Sequence, residues 1–113
     1  SGLPAPRRVD GAPALAGVLH AAWNVLGLHC GISIANPIPA ADEIPAGEIS
    51  SFIEAALADL QAQGITGQEV TPFLLKRVVE GTGGRSLVAN LALVRNNAAT
   101  AAAIAVEYAK LHR

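Results

Sequence analysis

The sequence has few aromatic residues and few charges. Of its 113 residues, 4% are aromatic and 15% are charged, whereas 51% are hydrophobic and 23 are alanine. Such a composition predicts small aliphatic side chains on closely packed helices. A compact chain of this mass exposes roughly 5,800 Å² of surface. With a mean hydropathy of +0.39, the chain has more apolar surface than a monomer of this size normally buries. We therefore expect another subunit, or further parts of the same protein, to cover much of the apolar surface.

Several classes of protein are excluded by what is missing. A net charge of −1 and a pI near 6.2 provide no electrostatic footprint for nucleic acid or an anionic membrane. An apolar stretch such as residues 98–106 is far shorter than the roughly 20 residues that span a bilayer. No basic segment followed by an apolar one opens the chain, so we expect a cytoplasmic protein. Cys30 cannot form an internal disulfide, and we expect it to be a small buried residue beside a strand.

Hydrophobic spacing of three and four residues predicts four helices. Asp10 is the expected N-cap of the first helix, Gly27 and Gly64 are expected stops, and Thr71 followed by proline resembles another N-cap. Asn96 and Asn97 are weak helix formers, and they predict a break or a site within the last helix. The predicted helices cover residues 13–26, 45–63, 71–80 and 87–111.

One segment has the pattern of a buried strand. Residues 31–35 are short and mostly apolar with two isoleucines, and two prolines follow at Pro37 and Pro39. Strands that are buried on both faces belong to sheets covered by helices. The predicted class is therefore α/β, mostly helical with one or two strands. Because one strand cannot form a sheet alone, we expect residues 1–113 to be a single segment of a larger domain.

Charged and nucleophilic side chains form no catalytic constellation in the sequence. The carboxylates are dispersed, Lys76 has the setting of a solvated charge, and the three histidines have no partners at ligand spacing. Residues 81–86, which read Gly-Thr-Gly-Gly-Arg-Ser, precede a helix and are compatible with a phosphate cradle. A flexible turn between helices explains that loop equally, because the spacing matches no phosphate-binding fingerprint. Arg7 and Arg8 fit a solvated pair or an anion contact.

Amide side chains are the better candidates for binding. Asn36 follows the predicted strand, at the end where α/β proteins place ligands. Asn90, Asn96 and Asn97 lie in an otherwise apolar helix, and a buried amide needs partners. Binding and helix capping both account for these positions.

Blocks of residues along the chain resemble one enzyme family. The matching blocks are SGLP at 1–4, RVD at 8–10, IANPIP at 34–39, QGITG at 63–67, TPFLL at 71–75, TGGRSL at 82–87, Asn90, and NNA at 96–98. In order and spacing they resemble the C-terminal third of pseudouridine-5′-phosphate glycosidases, also called the indigoidine synthase A-like family. Any single block is weak, but together they are specific.

The resemblance implies an activity. Enzymes of this family reversibly split the C–C glycosidic bond of pseudouridine 5′-phosphate, which yields uracil and ribose 5-phosphate. It also implies an α/β/α fold, a homotrimer, a nucleophilic lysine, a glutamate that transfers protons, and a divalent metal, usually manganese. The lysine, the glutamate and the metal ligand belong to the family's N-terminal two-thirds. This chain alone is thus expected to lack catalytic residues and metal ligands.

The resemblance assigns one binding residue. Asn90 matches the family asparagine that contacts the pyrimidine base, and an amide can both donate to and accept from uracil. Asn36 and Thr71 occupy motif positions without an assigned contact, so substrate binding and scaffold roles stay open for both. A non-catalytic helical interaction module, a degenerate remnant that associates with copies of itself, is the alternative function.

Overall fold

The computed structural model describes residues 4–112 and is helical. It has α1 (Ala12–His20), continued by a π-helical turn (Ala21–Val25), then α2 (Ala46–Ala62), α3 (Val70–Gly81) and α4 (Arg85–Lys110). Short 3₁₀ turns occupy Ala40–Asp42 and Gly67–Glu69. Most of the SGLP block at residues 1–4 lies outside the described residues. None of the helices within residues 4–112 is long and apolar enough to cross a membrane.

The α/β class predicted from the sequence is wrong for this chain. Residues 31–35, the predicted strand, lie in an irregular segment, and the described residues contain no strand. The apolar pattern of such a segment is local, whereas a strand exists only when a neighbour pairs with its N–H and C=O groups. Within residues 4–112 that pairing does not occur.

Helix ends that depend on glycine are close to those predicted. The first helix leads into a π turn that ends at Val25, and Gly27 then has φ +63. Helix α2 was predicted over 45–63 and is observed over Ala46–Ala62, followed by Gly64 with φ +64. Positive φ is a conformation that glycine adopts without strain.

Helix starts that depend on a side-chain cap were predicted less well. The residue that precedes α1 is Gly11, while the Asp10 carboxylate accepts a 2.9 Å bond from Nε of Arg8. Thr71 is the second residue of α3, because a 3₁₀ turn leads directly into Val70. Helix α3 thus begins at a turn of the backbone, which composition does not reveal. The break predicted at Asn96 and Asn97 is also not observed, since α4 continues through both residues.

The described chain divides into two compact units. The middle unit comprises residues 38–93, and the terminal unit comprises residues 4–37 with 94–112. In the middle unit α2 packs against α3. A Cβ on Gly81 would lie 2.8 Å from Cδ1 of Phe52, so the phenyl ring occupies the space that a side chain would need.

Burial is sparse in both units. The buried hydrophobic residues of the described chain are Ala56 in the middle unit and Ala16, Ala22 and Ile104 in the terminal unit. The accessible surface is 8218 Å², about 2,400 Å² more than a compact monomer of this mass exposes. The sequence-based expectation of uncovered apolar surface is therefore met.

Candidate functional site

The terminal unit contains a groove of about 490 Å³. Helix α1 and its π turn, the irregular segment after them, and the last four turns of α4 form its walls. This volume is within the range of small-molecule sites. The walls combine small aliphatic residues with two aromatic rings, two amides and a hydroxyl: Leu19, Trp23, Ile34, Asn36, Asn97, Thr100, Ala101, Ile104, Ala105 and Tyr108.

Two aromatic rings on the groove are held by their polar ends. Trp23 Nε1 donates a 2.9 Å bond to the Cys30 carbonyl, and Tyr108 Oη donates a 2.7 Å bond to Asn24 Oδ1. The rings of Trp23 and Tyr108 meet edge to face, with centroids 5.9 Å apart. Since their polar atoms are engaged elsewhere, the two residues present apolar ring surface to the groove.

The predicted amides meet at one end of the groove. Asn36 Nδ2 donates a 3.0 Å bond to Asn97 Oδ1, and the neighbouring Asn96 donates a 3.0 Å bond from Nδ2 to the Pro37 carbonyl. These two bonds fix the irregular segment against α4. Asn96 therefore has a structural role, whereas Asn36 and Asn97 retain polar atoms on the groove wall.

A ring cluster lies beside the groove. The centroids of His20 and His112 are 5.2 Å apart, and those of Tyr108 and His112 are 4.5 Å apart. Nδ1 of His20 is buried and has no hydrogen-bond partner among residues 4–112. Three rings, from α1, from α4 and from the turn after α4, thus contribute to the packing of the terminal unit.

Asn90 and Thr71 both belong to the middle unit. Asn90 is an exposed residue of α4, and Thr71 is an exposed residue of the first turn of α3. The side chain of Asn90 is therefore available to a ligand. Its predicted contact with a base stays a prediction.

The loop at residues 81–86 is a closed turn and not a phosphate cradle. The amides of Gly83, Gly84 and Arg85 donate to carbonyl groups of the chain, and the Ser86 amide donates a 3.1 Å bond to Thr82 Oγ1. The Thr82 hydroxyl in turn donates a 2.8 Å bond to the Val78 carbonyl. An anion needs free N–H groups. The amides at this helix start already donate to groups of the chain itself, so they are not available to an anion.

Ion pairs on the surface hold the helices of the middle unit together. Arg85 donates a hydrogen bond to the Glu48 carboxylate, which holds the pKa of that carboxyl below its ordinary value. Arg77 donates from Nε to Asp59 at 2.9 Å and from Nη1 to Glu80 at 3.2 Å, and its own pKa is raised by these bonds, Asp59 first. These contacts join α2 to the start of α4 and to α3.

The described lysines have exposed ion-pair settings. Lys76 lies 4.0 Å from Glu80, with three quarters of its side chain exposed, and Lys110 lies 2.6 Å from Glu107. Neither has the desolvated setting that activates a lysine as a nucleophile. Arg8 pairs with Asp10, as expected of a solvated arginine.

The potential metal ligands of the described residues are dispersed, and the single cysteine lies at the surface. No group of three or more His, Cys, Asp or Glu side chains capable of holding a metal ion occurs within residues 4–112. Cys30 is exposed, so the expectation of a buried thiol beside a strand is wrong. Residues 31–35, the predicted strand beside it, are irregular in the structure.

The aromatic part of the groove is not evident from the sequence. Trp23 and Tyr108 lie at apolar positions of the first and last predicted helices, and such positions do not distinguish a groove wall from a core. Their neighbours Asn24 and Cys30 supply the hydrogen-bond partners. These contacts join residues as much as 84 positions apart, which helical periodicity does not register.

Comparison with known families gives a match along nearly the whole chain. The sequence model of the family described as "Indigoidine synthase A like protein" matches residues 1–107. The chain is 60% identical over 111 residues to a pseudouridine-5′-phosphate glycosidase of Nocardioides sp., which is 98% of this chain and 36% of that relative. A relative of the same name from Deinococcus radiodurans is 51% identical over 98% of this chain and 35% of its own length.

A solved structure has a similar fold. The crystal structure of the prealnumycin C-glycosynthase AlnA in complex with ribulose 5-phosphate matches with a TM-score of 0.75 at 24% sequence identity. The match covers 100% of this chain and 37% of that chain. At this identity the likeness concerns the fold alone. In both kinds of comparison, this chain corresponds to slightly more than a third of a longer protein.

Proposed function

Because the chain belongs to the indigoidine synthase A-like family, we propose that it is part of a pseudouridine-5′-phosphate glycosidase. The reaction is the reversible cleavage of the C–C glycosidic bond of pseudouridine 5′-phosphate to uracil and ribose 5-phosphate. The observation that carries the proposal is the 60% identity, over 98% of this chain, to a relative of that name. The chain spans 36% of that relative, so catalysis also requires residues outside these 113.

The contribution of this chain is binding and packing. The proposed mechanism uses a lysine that forms an imine with the opened sugar, and neither Lys76 nor Lys110 occupies that motif position. Asn90 is the proposed contact to the uracil base, supported by its motif position and its exposure. Thr71 and Asn36 remain lower-ranked substrate-binding proposals. The observed bonding of Asn36 to Asn97 favours a place at the groove for Asn36.

The manganese of the proposed enzyme has no fitting site here. Residues 4–112 contain no cluster of three potential ligand side chains, so in this proposal the metal is held by the rest of the enzyme. Association with the rest of the enzyme, assembly into a homotrimer and a cytoplasmic location belong to the same proposal. The accessible surface of 8218 Å² supports the association.

A chimera tests the proposal directly. The 111 matched residues of the Nocardioides enzyme are replaced by those of this chain, and cleavage of pseudouridine 5′-phosphate is followed by the release of uracil. We expect the chimera to be active because 60% of these positions are already identical. The 113-residue chain alone, mixed with uracil and ribose 5-phosphate, should form no pseudouridine 5′-phosphate because the nucleophilic lysine is missing.

Two outcomes would contradict this function. A chimera that folds and assembles like its parent but does not cleave the substrate favours the alternative, a non-catalytic helical module. Synthesis of pseudouridine 5′-phosphate by the chain alone would contradict the assignment of the lysine to the remainder of the enzyme.

A further inference from the structure

The amide pair of the groove has hydrogen-bonding capacity left over. Asn36 uses its amino group and Asn97 its carbonyl oxygen for the 3.0 Å bond between them. Within the described part of the chain, the Asn36 carbonyl oxygen and the Asn97 amino group have no other partner. An acceptor and a donor thus lie side by side on the groove wall.

This arrangement does not depend on how the two amides are oriented. Amide oxygen and nitrogen are assigned from the hydrogen-bond network and can be exchanged by a flip. If both amides flip, Asn97 donates to Asn36, and the remaining pair is the Asn36 amino group and the Asn97 carbonyl oxygen. One donor and one acceptor remain unused in either case, on two residues that line the groove.

The rest of the wall favours a neutral, flat ligand. All the side chains that line the groove are uncharged, so a phosphate would find no counter-charge there. The rings of Trp23 and Tyr108 offer apolar surface on which a ring can pack. A volume of about 490 Å³ exceeds the needs of a single small ring.

We propose that the groove of the terminal unit binds a planar cyclic amide or imide, whose adjacent C=O and N–H meet Asn97 and Asn36. Uracil is the member of this class that the proposed reaction releases. In naming uracil the inference rests on the proposed function. It concerns the terminal unit only and is separate from the assignment of Asn90.

The test is a titration of the ¹⁵N-labelled 113-residue chain, observed at the side-chain amides of Asn36 and Asn97. Uracil is compared with 1,3-dimethyluracil, which retains the ring and both carbonyl groups but has no N–H, and with ribose 5-phosphate, which is anionic. We expect uracil to shift both amides. Dimethyluracil should bind about tenfold more weakly, the loss expected for one hydrogen bond, and ribose 5-phosphate should shift neither amide.

Two aspartate variants test the residues. In Asn36→Asp or Asn97→Asp the pair stays bonded, because the remaining amino group donates to the new carboxylate, but a ligand then faces two oxygens. Each variant should bind uracil about tenfold more weakly with unchanged helical circular dichroism. Gln61→Glu, an exposed substitution on α2 that adds the same charge, should bind like the unmodified chain.

The inference is overturned if uracil leaves the two amides unshifted, if dimethyluracil binds as well as uracil, or if both aspartate variants bind normally. Its failure is distinguishable from failure of the proposed function. If the chimera is active but the chain does not bind uracil, only the proposed groove site is contradicted. If the chimera is inactive but the chain binds uracil selectively, only the proposed glycosidase function is contradicted.

Discussion

A single hydroxyl group determines the turn between α3 and α4. Thr82 is only 4% exposed, and its Oγ1 both donates to the Val78 carbonyl and accepts from the Ser86 amide. By residue type alone, Ser86 in the same loop is an equal candidate for the cap. A hydroxyl caps a helix start only where it is held close to the free amides, and the two residues lie four positions apart in the same glycine-rich loop. Composition alone does not distinguish them.

Replacing Thr82 by valine should destabilise the chain. The isosteric change removes both hydrogen bonds and leaves the Ser86 amide without its acceptor, so we expect a loss of about 1–2 kcal/mol in the free energy of unfolding. Urea denaturation measures it. Thr82→Ser, which keeps the hydroxyl, should recover most of the loss.

Ser86→Ala is the matched control. The Ser86 Oγ is buried and lacks a partner among the described residues, so its removal should cost less than about 0.5 kcal/mol or stabilise the chain. Equal losses for Thr82→Val and Ser86→Ala would contradict the assignment of the cap.

Asn90→Ala should lower kcat/KM when measured in the active chimera. One or two hydrogen bonds to a neutral base are worth about 0.5–1.5 kcal/mol each. If the contact strengthens as negative charge develops on the departing uracil, the loss reaches about 10²–10³-fold and includes kcat. Asn90→Asp should be worse, since a carboxylate cannot donate and repels that charge.

Asn96→Ala provides the comparison for Asn90. Its amide is committed to the Pro37 carbonyl, so the substitution should lower stability and reduce kcat/KM less than Asn90→Ala does. Unchanged kinetics of Asn90→Ala in a folded, fully assembled chimera would show that Asn90 is a surface residue without a contact to the base.

At the scale of elements, helices were predictable and the strand was not. The stripe of α2 recurs every three or four residues, and Gly64 follows it, so its bounds were predicted within one residue. Residues 31–35 have a strand pattern, but the described residues contain no second strand whose N–H and C=O groups could pair with them. The sequence predicts a binding role for Asn36 because it follows a strand pattern, and the structure places Asn36 at the groove without a strand. Its partner Asn97 followed only from the fold.

The ion pair between α2 and α4 predicts a response to acid. The pKa of Glu48 is lowered in the folded chain, so folding favours its ionised form. The resulting stability is fully present above the ordinary glutamate pKa of about 4.5 and is lost as the pH falls through the lower folded value. Unfolding temperatures between pH 3 and about 6 should therefore fall more steeply for the unmodified chain than for Glu48→Gln.

Glu54→Gln is the control for this titration. Glu54 is an exposed residue of the same helix, and its replacement should leave the steep acid dependence in place. Parallel curves for the unmodified chain and Glu48→Gln would show that the hydrogen bond from Arg85 does not contribute in solution.

At the scale of the whole molecule, the main feature is uncovered apolar surface. Large hydrophobic side chains are exposed on the part of α4 that belongs to the middle unit, namely Leu87, Val88 and Leu91. Scattered exposed hydrophobic residues are ordinary, but sets of this size mark interfaces. Composition predicted this excess, because hydropathy is a sum over residues and needs no knowledge of the fold.

The isolated chain should therefore associate. We expect a mass above that of the 11.5 kDa monomer in light scattering, or binding of an apolar dye. The double variant Val88→Lys with Leu91→Lys should reduce either signal, whereas Gln61→Lys should not. A monomer that binds no dye and unfolds in one sharp transition would contradict the need for a covering partner.

The terminal unit joins the two ends of the described chain, and this has a consequence for the order of folding. The Tyr108–Asn24 bond closes a loop of 84 residues, whereas the Arg77–Asp59 bond of the middle unit closes one of 18. Loop-closure entropy makes the longer loop costlier by about 1.4 kcal/mol, and distant contacts form slowly. During translation, residues 4–37 cannot complete their packing until residues 94–112 have emerged from the ribosome. We therefore expect the groove to form after the middle unit has folded.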